Sequence, residues 1–534
     1  MADNARKKVL VADSIAQAAI DILRANTDVD VKVGLSPADL QAVIGQYAAL
    51  MVRSQTRVTN QIIDAGTNLE VIGRAGVGVD NIDVDAATRR GIFVINSPEG
   101  NIVSAAEHTM AMLLAMARQI PKANSELRAG VWNRSLKGIE LRNKVLGIIG
   151  FGRVGTFVAE MAKGFRLNVI AYDPMVSQSI ADKLGVQLVE LGTLLARSDF
   201  VSVHVPLTKT TRGLIGTEQL AQMKPTAMII NCARGGIVDE QALYEALDAG
   251  RLAGAAIDVF GEEPAVGNIL TRSDKTVVTP HLAASTVEAE TSAGKDVAEQ
   301  IVAVLSGYPP KSPVNAPVVS ARGMTELLEY VRAATTLGVI AAQMLKGRAK
   351  SIAIRYQGDV STQNTGPLKA AILGGLLESV TDERVNIVNM DFVATRRGLR
   401  ITEQKDPTCE NYSNMLTVEI DSTSGRITVA ASSLRGRMYL VRVNDFWFEI
   451  EPSGSYMLFT EHKDRPGMIG VAGTIMGNAG VNISQMQVSR GLERGGEAMM
   501  VLCLDDPLTP EVHRLLLAIP DMHKLHVVKL TNDK

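Results

Sequence analysis

The sequence predicts a multidomain α/β protein whose first part contains parallel sheets. Short apolar runs alternate with helix-like stretches over the first hundred residues, which is the pattern of βαβ units. A second series of the same kind opens with KVLGIIGFGRVG at Lys144 and continues to about Val278. A chain of 534 residues is also too long for a single core, so three or four domains are expected.

The rest of the chain has a different character. A long helical pattern after His281 is broken by the proline-rich stretch GYPPKSPVNAP, residues 307–317, which marks a boundary. From about Val318 to Pro452, a helical stretch is followed by segments of alternating apolarity, which indicates an α+β domain. The last eighty residues have the order strand, helix, strand, strand, helix, strand, which predicts a ferredoxin-like module.

The composition argues against several classes of protein. Hydrophobic residues make up 46% of the chain and charged residues 21%, with a net charge of -2, as in globular proteins. Lysines and arginines are spread out, so no nucleic-acid partner is expected. The N-terminus lacks the long apolar stretch typical of a signal peptide, and no window approaches the apolar run that a membrane span needs. Cys232, Cys409 and Cys503 have neither paired nor metal-type spacing. We therefore expect a cytoplasmic protein with no membrane contact and no metal.

A glycine-rich turn is the first chemical motif. Gly150, Gly152 and Gly155 form GFGRVG between a strand-like run and a helix-like run, where backbone can approach a pyrophosphate closely. The next predicted strand ends at Asp173, 18 residues past Gly155, where a carboxylate can bind the ribose diol and repel a 2′-phosphate. The pattern favours NAD over NADP. The alternative is a structural turn followed by an exposed aspartate.

Three further residues stand at or near the ends of predicted strands. Arg234 follows TAMII in NCARGG, and arginine suits bidentate binding of a carboxylate. Glu263 lies in DVFGEEP, and His281 follows the strand-like TVVTP. Taken alone, each has an ordinary alternative: a surface cation, a solvated acid and a structural histidine. Spacing alone does not place Glu263 beside His281.

The motifs NCARGGIVDE, AAIDVFGEEP and TPHLAAST, in this order behind GFGRVG, resemble the signature set of the D-isomer-specific 2-hydroxyacid dehydrogenases over about residues 5–315. That resemblance implies a flavodoxin-like substrate domain with an inserted Rossmann NAD domain and an active site in the cleft between them. The expected domains are the substrate domain (1–98 and 286–316), the NAD domain (99–285), an α+β intervening domain (317–452) and a ferredoxin-like ACT domain (453–534).

The resemblance also implies roles for individual residues. His281 would be the general base, Glu263 its orienting partner, and Arg234 the group that binds the substrate carboxylate. A base that titrates near neutral pH suits removal of a hydroxyl proton as hydride passes to nicotinamide. The residues expected to contact NAD are Gly150, Gly152, Arg153, Val154, Gly155, Asp173, Pro206, Thr211, Cys232, Arg234, Asp258 and His281.

The substrate is suggested by further arginines. By resemblance to members of the family that oxidise 3-phosphoglycerate, Arg53 and Arg74 would line the pocket, and Ser54 and Asn101 would hydrogen-bond the substrate. Arg134 would reach the phosphate from a partner subunit. Arg53 and Arg74 also occur in relatives that use unphosphorylated acids, and a solvated role for Arg134 stays open.

The C-terminal region supports the same branch of the family. HKDRPGMIGVAGTIMGNAGVNI resembles an ACT domain, in which His462, Asp464 and Asn482 would contact an L-serine effector, with Asn482 opening a strand that faces the turn at Asp464. A module that only dimerises is the alternative. The roughly 200 residues beyond residue 317 resemble the extra domains of the long, phosphoglycerate-oxidising members.

Other functions stay open at this point. The nearest alternative is a hydroxypyruvate, glyoxylate or 2-oxoglutarate reductase of the same family. A non-enzymatic NAD-sensing protein, similar to the corepressors that resemble these dehydrogenases, and an amino-acid sensor with an inactive dehydrogenase body are more distant ones. By resemblance, we expect a homodimer through the inserted domain, or a homotetramer that also uses the C-terminal domains.

Overall fold

The computed structural model describes residues 6–318, 321–378, 385–434, 436–491 and 493–530, apart from the side chains of residues 321–326. The described residues form four β-sheets in succession along the chain. Single 3-10 turns lie at Ile44–Gln46, Ile269–Arg272 and Asp359–Thr362.

The first sheet is parallel and lies within residues 8–95. Its strands are β1 (Lys8–Val11), β2 (Asp28–Val31), β3 (Ala49–Val52), β4 (Val71–Arg74) and β5 (Phe93–Ile95). Its helices are α1 (Gln17–Asn26), α2 (Pro37–Val43), α3 (Asn60–Ala65) and α4 (Val84–Arg89). Because β3 is apolar and buried throughout, helices must cover both of its faces. The order β2-β1-β3-β4-β5 is that of flavodoxin-like folds.

The second sheet is also parallel and occupies residues 145–278. Its strands are β6 (Val145–Ile149), β7 (Asn168–Tyr172), β8 (Gln187–Leu188), β9 (Phe200–Val203), β10 (Met228–Asn231), β11 (Gly254–Ile257) and β12 (Thr276–Val278). Its helices are α5 (Ile102–Ala117), α6 (Ile120–Arg128), α7 (Arg153–Gly164), α8 (Gln178–Asp182), α9 (Leu191–Arg197), α10 (Thr217–Ala221) and α11 (Glu240–Asp248). The order β12-β11-β10-β9-β6-β7-β8 is a Rossmann arrangement whose strand order reverses at β6.

The chain then returns to the first sheet through helix α12 (Val287–Leu305), which packs on α1 and β4. This packing is close, since a Cβ at Gly73 would lie 2.5 Å from Val297. Just before α12, Thr286 caps the helix and its hydroxyl lies 2.8 Å from that of Ser104 on α5. The Rossmann unit is therefore inserted within the first α/β unit, as predicted. The boundaries at residues 98, 285, 316 and 452 stay predictions.

The third sheet is mixed and belongs to the α+β region. Its helices are α13 (Ala321–Met344), α14 (Gly366–Leu377) and α15 (Met390–Arg396). Its strands are β13 (Ala349–Gly358), β14 (Arg400–Asp406), β15 (Asn414–Ser422), β16 (Gly425–Leu434), β17 (Arg437–Val443) and β18 (Phe446–Ile450). In the segment MYLVRVNDFWFEI, apolar and polar residues alternate as in a single strand. The segment instead forms the antiparallel hairpin of β17 and β18, which turns at Asn444, where φ is 51°.

The fourth sheet has the predicted ferredoxin-like order. It contains β19 (Tyr456–Lys463), α16 (Met468–Asn478), β20 (Ile483–Arg490), β21 (Glu497–Leu504), α17 (Pro510–Leu517) and β22 (Met522–Lys529). One face packs on α16 and α17. The other face shares a hydrophobic cluster with the third sheet, in which Phe459 and Val501 pack with residues of α13 and β16. None of the helices among the described residues is long and apolar enough to cross a bilayer.

Candidate active site

A cleft of about 700 Å³ lies where the carboxyl ends of strands from the first two sheets face each other. Open parallel sheets bind ligands at this edge. The first unit contributes Arg53, Ser54 and Arg74, and the second contributes Arg234 and His281. Asn101, at the start of α5, also lines the cleft, and its side chain makes no capping bond to the helix.

His281 and Glu263 meet at the cleft wall. Nδ1 of His281 lies 2.8 Å from Oε2 of Glu263, and Oε1 of Glu263 accepts the Phe260 N–H at 3.1 Å. The backbone bond therefore orients the carboxylate toward the imidazole. Because Nδ1 faces Glu263, Nε2 is the ring nitrogen left for a ligand. The pairing that spacing alone could not establish is present.

Asp258 fixes the chain around His281. This buried carboxylate accepts the Thr279 hydroxyl at 2.6 Å and the N–H groups of Leu282 and Ala283 at 2.8 and 2.9 Å, and it lies 3.3 Å from His108 Nε2. Burial opposes its ionisation, but the hydrogen bonds from His108, Thr279 and the backbone outweigh burial and lower the pKa of Asp258. Asp258 thus holds the turn that presents the histidine.

Arg234 follows β10 in a turn built by Asn231. The Asn231 side chain donates to Arg234 O at 3.0 Å and accepts the Ala233 N–H at 3.0 Å. Gly235 packs against the backbone so tightly that a Cβ there would lie 1.8 Å from Phe260 O. The guanidinium lies against Gly78 across the cleft, where a Cβ would come within 2.4 Å of Nη2. Residues from both α/β units therefore surround it.

Arg53 and Arg74 place two more guanidinium groups in the cleft. Arg74 donates through Nε to Asn81 Oδ1 at 3.0 Å, and Asn81 donates to Arg53 O at 2.7 Å. Burial lowers the pKa of Arg74, and the charges of Arg234 and Arg53 lower it further, against the opposing charges of Asp80 and Asp13. Three mutually repelling cations in one cleft favour an anionic ligand.

Two carboxylates in this cleft are not signalled by any motif. Glu290 Oε1 lies 2.8 Å from Arg53 Nη2, and Asp80 Oδ2 lies 3.6 Å from Arg234 Nε. A third carboxylate, Asp13, lies two residues after the end of β1 and accepts the Arg53 N–H at 2.6 Å. The position of Asp13 after a buried strand was a signal that could have found it. No sequence signal could have identified Asp80 or Glu290, because the arginines with which they pair are distant in sequence.

The glycine-rich turn has the shape that a pyrophosphate needs. Gly150 has φ 95°, and a Cβ there would lie 2.6 Å from His204 O, while a Cβ at Gly155 would lie 2.2 Å from Gly150 O. Both contacts require glycine. A Cβ at Gly152 would meet nothing within 4 Å, so this residue leaves open space at the N-terminus of α7, where no side chain caps the free amides. The residues fit a dinucleotide.

Asp173 stands directly after β7 beside this turn. Its Oδ2 accepts the Phe151 N–H at 2.9 Å and its Oδ1 accepts the Met175 N–H at 2.8 Å. Arg153, at the start of α7, lies 3.3 Å from Glu99, and Val154 packs into the adjacent core. The carboxylate is thus fixed next to the predicted pyrophosphate turn.

The loop after β9 forms the opposite wall of the turn. The Thr211 hydroxyl donates to Pro206 O at 2.5 Å, which closes the loop.

The pKa values of His204 and Cys232 are shifted by burial. His204, which the sequence did not single out, bonds the Ser202 hydroxyl at 2.7 Å, and burial lowers its pKa to about 4. Burial, with the charge of Asp258, raises the pKa of Cys232 to about 12, so this thiol stays neutral.

Arg134 lies outside the cleft. It is exposed in the segment after α6, and the cleft walls of this chain do not include it. The surface around it is apolar, with Leu127, Val131 and Trp132 exposed. Among the described residues, Arg134 therefore does not line the cleft of its own chain.

The predicted effector residues do not meet within one chain. His462 is buried in β19, where burial lowers its pKa, and Asp464 lies 3.6 Å from Arg490. His462 pairs with Ala498, whereas Asn482 precedes the end of β20 that pairs with Leu504, about 20 Å away along β21. The expectation that Asn482 faces the turn at Asp464 is wrong, because β20 begins at the opposite end of the sheet.

Family models match two parts of the chain. The model for the NAD binding domain of D-isomer specific 2-hydroxyacid dehydrogenases matches residues 110–283, which carry the glycine turn, Arg234, Glu263 and His281. The model for the D-3-phosphoglycerate dehydrogenase intervening domain matches residues 326–444. The first match contains the Rossmann sheet, and the second contains all strands of the mixed sheet except β18.

Full-length relatives extend these matches. The chain is 45% identical to a D-3-phosphoglycerate dehydrogenase of Synechocystis over 98% of this chain and 95% of the relative, and 43% identical to one of Archaeoglobus fulgidus over 95% and 96%. A D-lactate dehydrogenase structure from Aquifex aeolicus, complexed with NAD and lactic acid, is 26% identical and covers 56% of this chain and 96% of its own, with a TM-score of 0.51. The chain belongs to the D-isomer specific 2-hydroxyacid dehydrogenase family, in its long D-3-phosphoglycerate dehydrogenase branch.

Proposed function

We propose that this enzyme oxidises 3-phospho-D-glycerate to 3-phosphohydroxypyruvate with NAD, the first step of L-serine biosynthesis. The observation that carries the proposal is the His281–Glu263 pair at 2.8 Å, which shares a cleft with Arg53, Arg74 and Arg234. A base for a hydroxyl proton and several cations for an anionic acid thus lie within reach of one small molecule. The names of the full-length relatives support this substrate.

The proposed mechanism assigns one task to each residue. Arg234 binds the substrate carboxylate, so that C2 faces the nicotinamide position. Nε2 of His281 takes the proton of the C2 hydroxyl as the C2–H bond breaks, and Glu263 stabilises the imidazolium that forms. Bound NAD supplies the hydride acceptor. In the reverse direction, the same imidazolium returns the proton to the carbonyl oxygen.

The cofactor proposal rests on the glycine turn and its neighbours. The open space above Gly152 and the uncapped amides of α7 suit the pyrophosphate, and Asp173 stands where a ribose diol would be recognised. The further NAD contacts predicted at Arg153, Val154, Pro206, Thr211, Cys232 and Asp258 surround the same turn or the same strand ends. A 2′-phosphate would face the Asp173 carboxylate, so we propose NAD rather than NADP.

Two or more copies complete the proposed enzyme. The exposed side chains of Ile120, Leu127, Val131 and Trp132 form an apolar surface next to Arg134. A second copy that covers this surface would bring Arg134 close to a cleft other than its own, where it would bind the substrate phosphate together with Arg53 and Arg74. We therefore propose a homodimer through the Rossmann unit, with a homotetramer as the larger form.

The same reasoning applies to the effector. An L-serine site made of His462, Asp464 and Asn482 requires two ACT domains in antiparallel orientation, because these residues lie at opposite ends of one sheet. Asp464 would pair with the serine ammonium.

We also propose a cytoplasmic location, since Cys232, Cys409 and Cys503 are all free thiols, as in a reducing compartment.

A comparison of oxoacids tests this function against the other reductase activities of the family. The purified protein with NADH is offered 3-phosphohydroxypyruvate, hydroxypyruvate, glyoxylate and 2-oxoglutarate in turn, and the loss of nicotinamide absorbance is followed. The proposal predicts the highest kcat/KM for the phosphorylated acid. A higher kcat/KM for an unphosphorylated acid contradicts it, and no turnover of any of them would favour a binding protein. Each assay is repeated with L-serine, and the effector proposal predicts a lower rate.

A further inference from the structure

The cleft contains an ion pair that the proposed chemistry does not require. Glu290 lies in the first turn of α12, and its Oε1 is 2.8 Å from Nη2 of Arg53. The two side chains are 39% and 28% exposed, so the pair is in contact with the water of the cleft. Both residues line the cleft. An anionic ligand that reaches Arg53 therefore meets a carboxylate already bound to it.

The backbone of Arg53 is held without Glu290. Its N–H donates to Asp13 Oδ2 at 2.6 Å, and its carbonyl oxygen accepts from Asn81 Nδ2 at 2.7 Å. Asp13 also accepts the Thr56 hydroxyl at 2.6 Å, which fixes the following turn. These bonds position the end of β3 without Glu290, whose hydrogen bond is to the Arg53 guanidinium. Glu290 therefore acts on Arg53 by adding a negative charge beside the guanidinium and by occupying one of its hydrogen-bond donors.

We propose that Glu290 is a built-in counter-ion that competes with an anionic group of the substrate for Arg53, and so sets how tightly the cleft holds that group. This inference rests on the proposed function only in that the substrate is an anionic 2-hydroxyacid. A guanidinium has a limited set of donors, and Glu290 occupies one of them while repelling a second anion nearby. With Glu290 in place, the substrate must displace the carboxylate or share the guanidinium with it.

Asp80 is a weaker candidate for the same role at Arg234. Its carboxylate is 3.6 Å from Arg234 Nε and 77% exposed, so water screens the pair. Glu290 is closer to its arginine and more enclosed. The inference is therefore confined to Glu290.

A matched control lies in the same helical turn. Glu288 is exposed and lies outside the cleft walls, yet it shares the first turn of α12 with Glu290. Replacement of either glutamate by glutamine removes one negative charge from a helix N-terminus, at a similar cost to the helix. A difference in ligand binding between the two variants therefore reports on Arg53 rather than on helix stability.

The experiment measures binding of inorganic phosphate to the full-length NADH-bound enzyme by calorimetry, in Glu290→Gln, Glu288→Gln and the unsubstituted protein. We expect Glu290→Gln to lower the Kd of phosphate and the KM of the preferred oxoacid by about three- to fivefold, and Glu288→Gln to change neither. The gain should shrink at high salt, since the pair is partly exposed. Thermal unfolding of the two variants checks that both fold equally well.

A double-substitution cycle ties the effect to Arg53. In an Arg53→Ala background, Glu290→Gln should change the Kd of phosphate much less, because the shared partner is gone and only the direct repulsion between Glu290 and phosphate is left. An unchanged or weaker phosphate affinity in Glu290→Gln, or a gain of the same size without Arg53, overturns the inference. Phosphate binding is measured without turnover, so an enzyme that prefers another oxoacid would refute the proposed substrate and leave this comparison valid.

Discussion

The carboxylate of Glu263 bridges two partners, Nδ1 of His281 at 2.8 Å and the Phe260 N–H at 3.1 Å. The backbone bond holds the carboxylate in place, and the carboxylate in turn orients the imidazole. Glu263 therefore selects the ring nitrogen that faces the cleft, and in the proposed mechanism it would also stabilise the imidazolium.

Replacement of Glu263 by glutamine tests this relationship. The neutral amide no longer stabilises the imidazolium that forms in the proposed step, so kcat should fall by roughly 10²-fold. Steady-state kinetics with the preferred oxoacid measure the effect. An unchanged kcat would contradict the role given to Glu263, whereas unchanged NADH affinity serves as the control for folding.

The glycine turn offers a pair of substitutions with opposite outcomes. A Cβ at Gly152 meets nothing within 4 Å, so Gly152→Ala should fold normally and weaken NADH binding at least about tenfold by filling the space for the pyrophosphate. A Cβ at Gly155 would lie 2.2 Å from Gly150 O, so Gly155→Ala should lower the Tm instead. Calorimetric unfolding and NADH titration separate the two. Normal NADH affinity in Gly152→Ala would refute the pyrophosphate position.

Asp173→Asn tests the choice of cofactor. The amide keeps an oxygen that can accept one of the two backbone N–H bonds of Asp173, while the negative charge is lost. The repulsion of a 2′-phosphate should weaken, so the ratio of kcat/KM for NADH to that for NADPH should fall by about tenfold. Rates with the two cofactors at equal oxoacid concentration give the ratio. If it does not change, Asp173 does not recognise the ribose.

The lowered pKa of His204 predicts that the stability of the folded protein depends on pH. Its pKa is about 4 in the folded protein, below the ordinary 6.5, so the unfolded chain binds the proton more readily. The stabilisation is fully present above pH 6.5 and is lost as the pH falls toward 4, by about 2 to 3 kcal/mol in total. In His204→Gln the fall in Tm between pH 6.5 and 4.5 should be smaller. An equal fall in both proteins would contradict the burial of a neutral ring; His523→Gln, at an exposed histidine, serves as the control.

Much of the α/β fold was predictable, because parallel strands buried on both faces are continuous apolar runs. Segments such as TAMII and AGAAID correspond to β10 and β11. Helix α14 was missed, since its sequence GPLKAAILGGLL is apolar all round and has no helical periodicity. The turn at Asn444 was missed because both strands of that hairpin continue the same alternation.

The limits at the site have a similar origin. Arg234 and His281 could be singled out because they stand at the ends of predicted strands, whereas Arg53 and the roles of all three came from the family resemblance. Partners such as Glu290 could not be, since Arg53 is 237 positions away and the contact depends on how α12 packs on β4. Asn482 was misplaced because strand direction, rather than sequence proximity, decides which end of a sheet a residue occupies.

The most direct test of the proposed activity is the oxidation of D-3-phosphoglycerate by NAD, followed as NADH formation with hydrazine present to trap the oxoacid product. We predict NADH formation with the D isomer and none with the L isomer, and a rate lower by roughly 10² to 10⁴ in His281→Ala with NADH binding retained. Faster oxidation of an unphosphorylated D-2-hydroxyacid, or an unchanged rate in His281→Ala, would contradict the account.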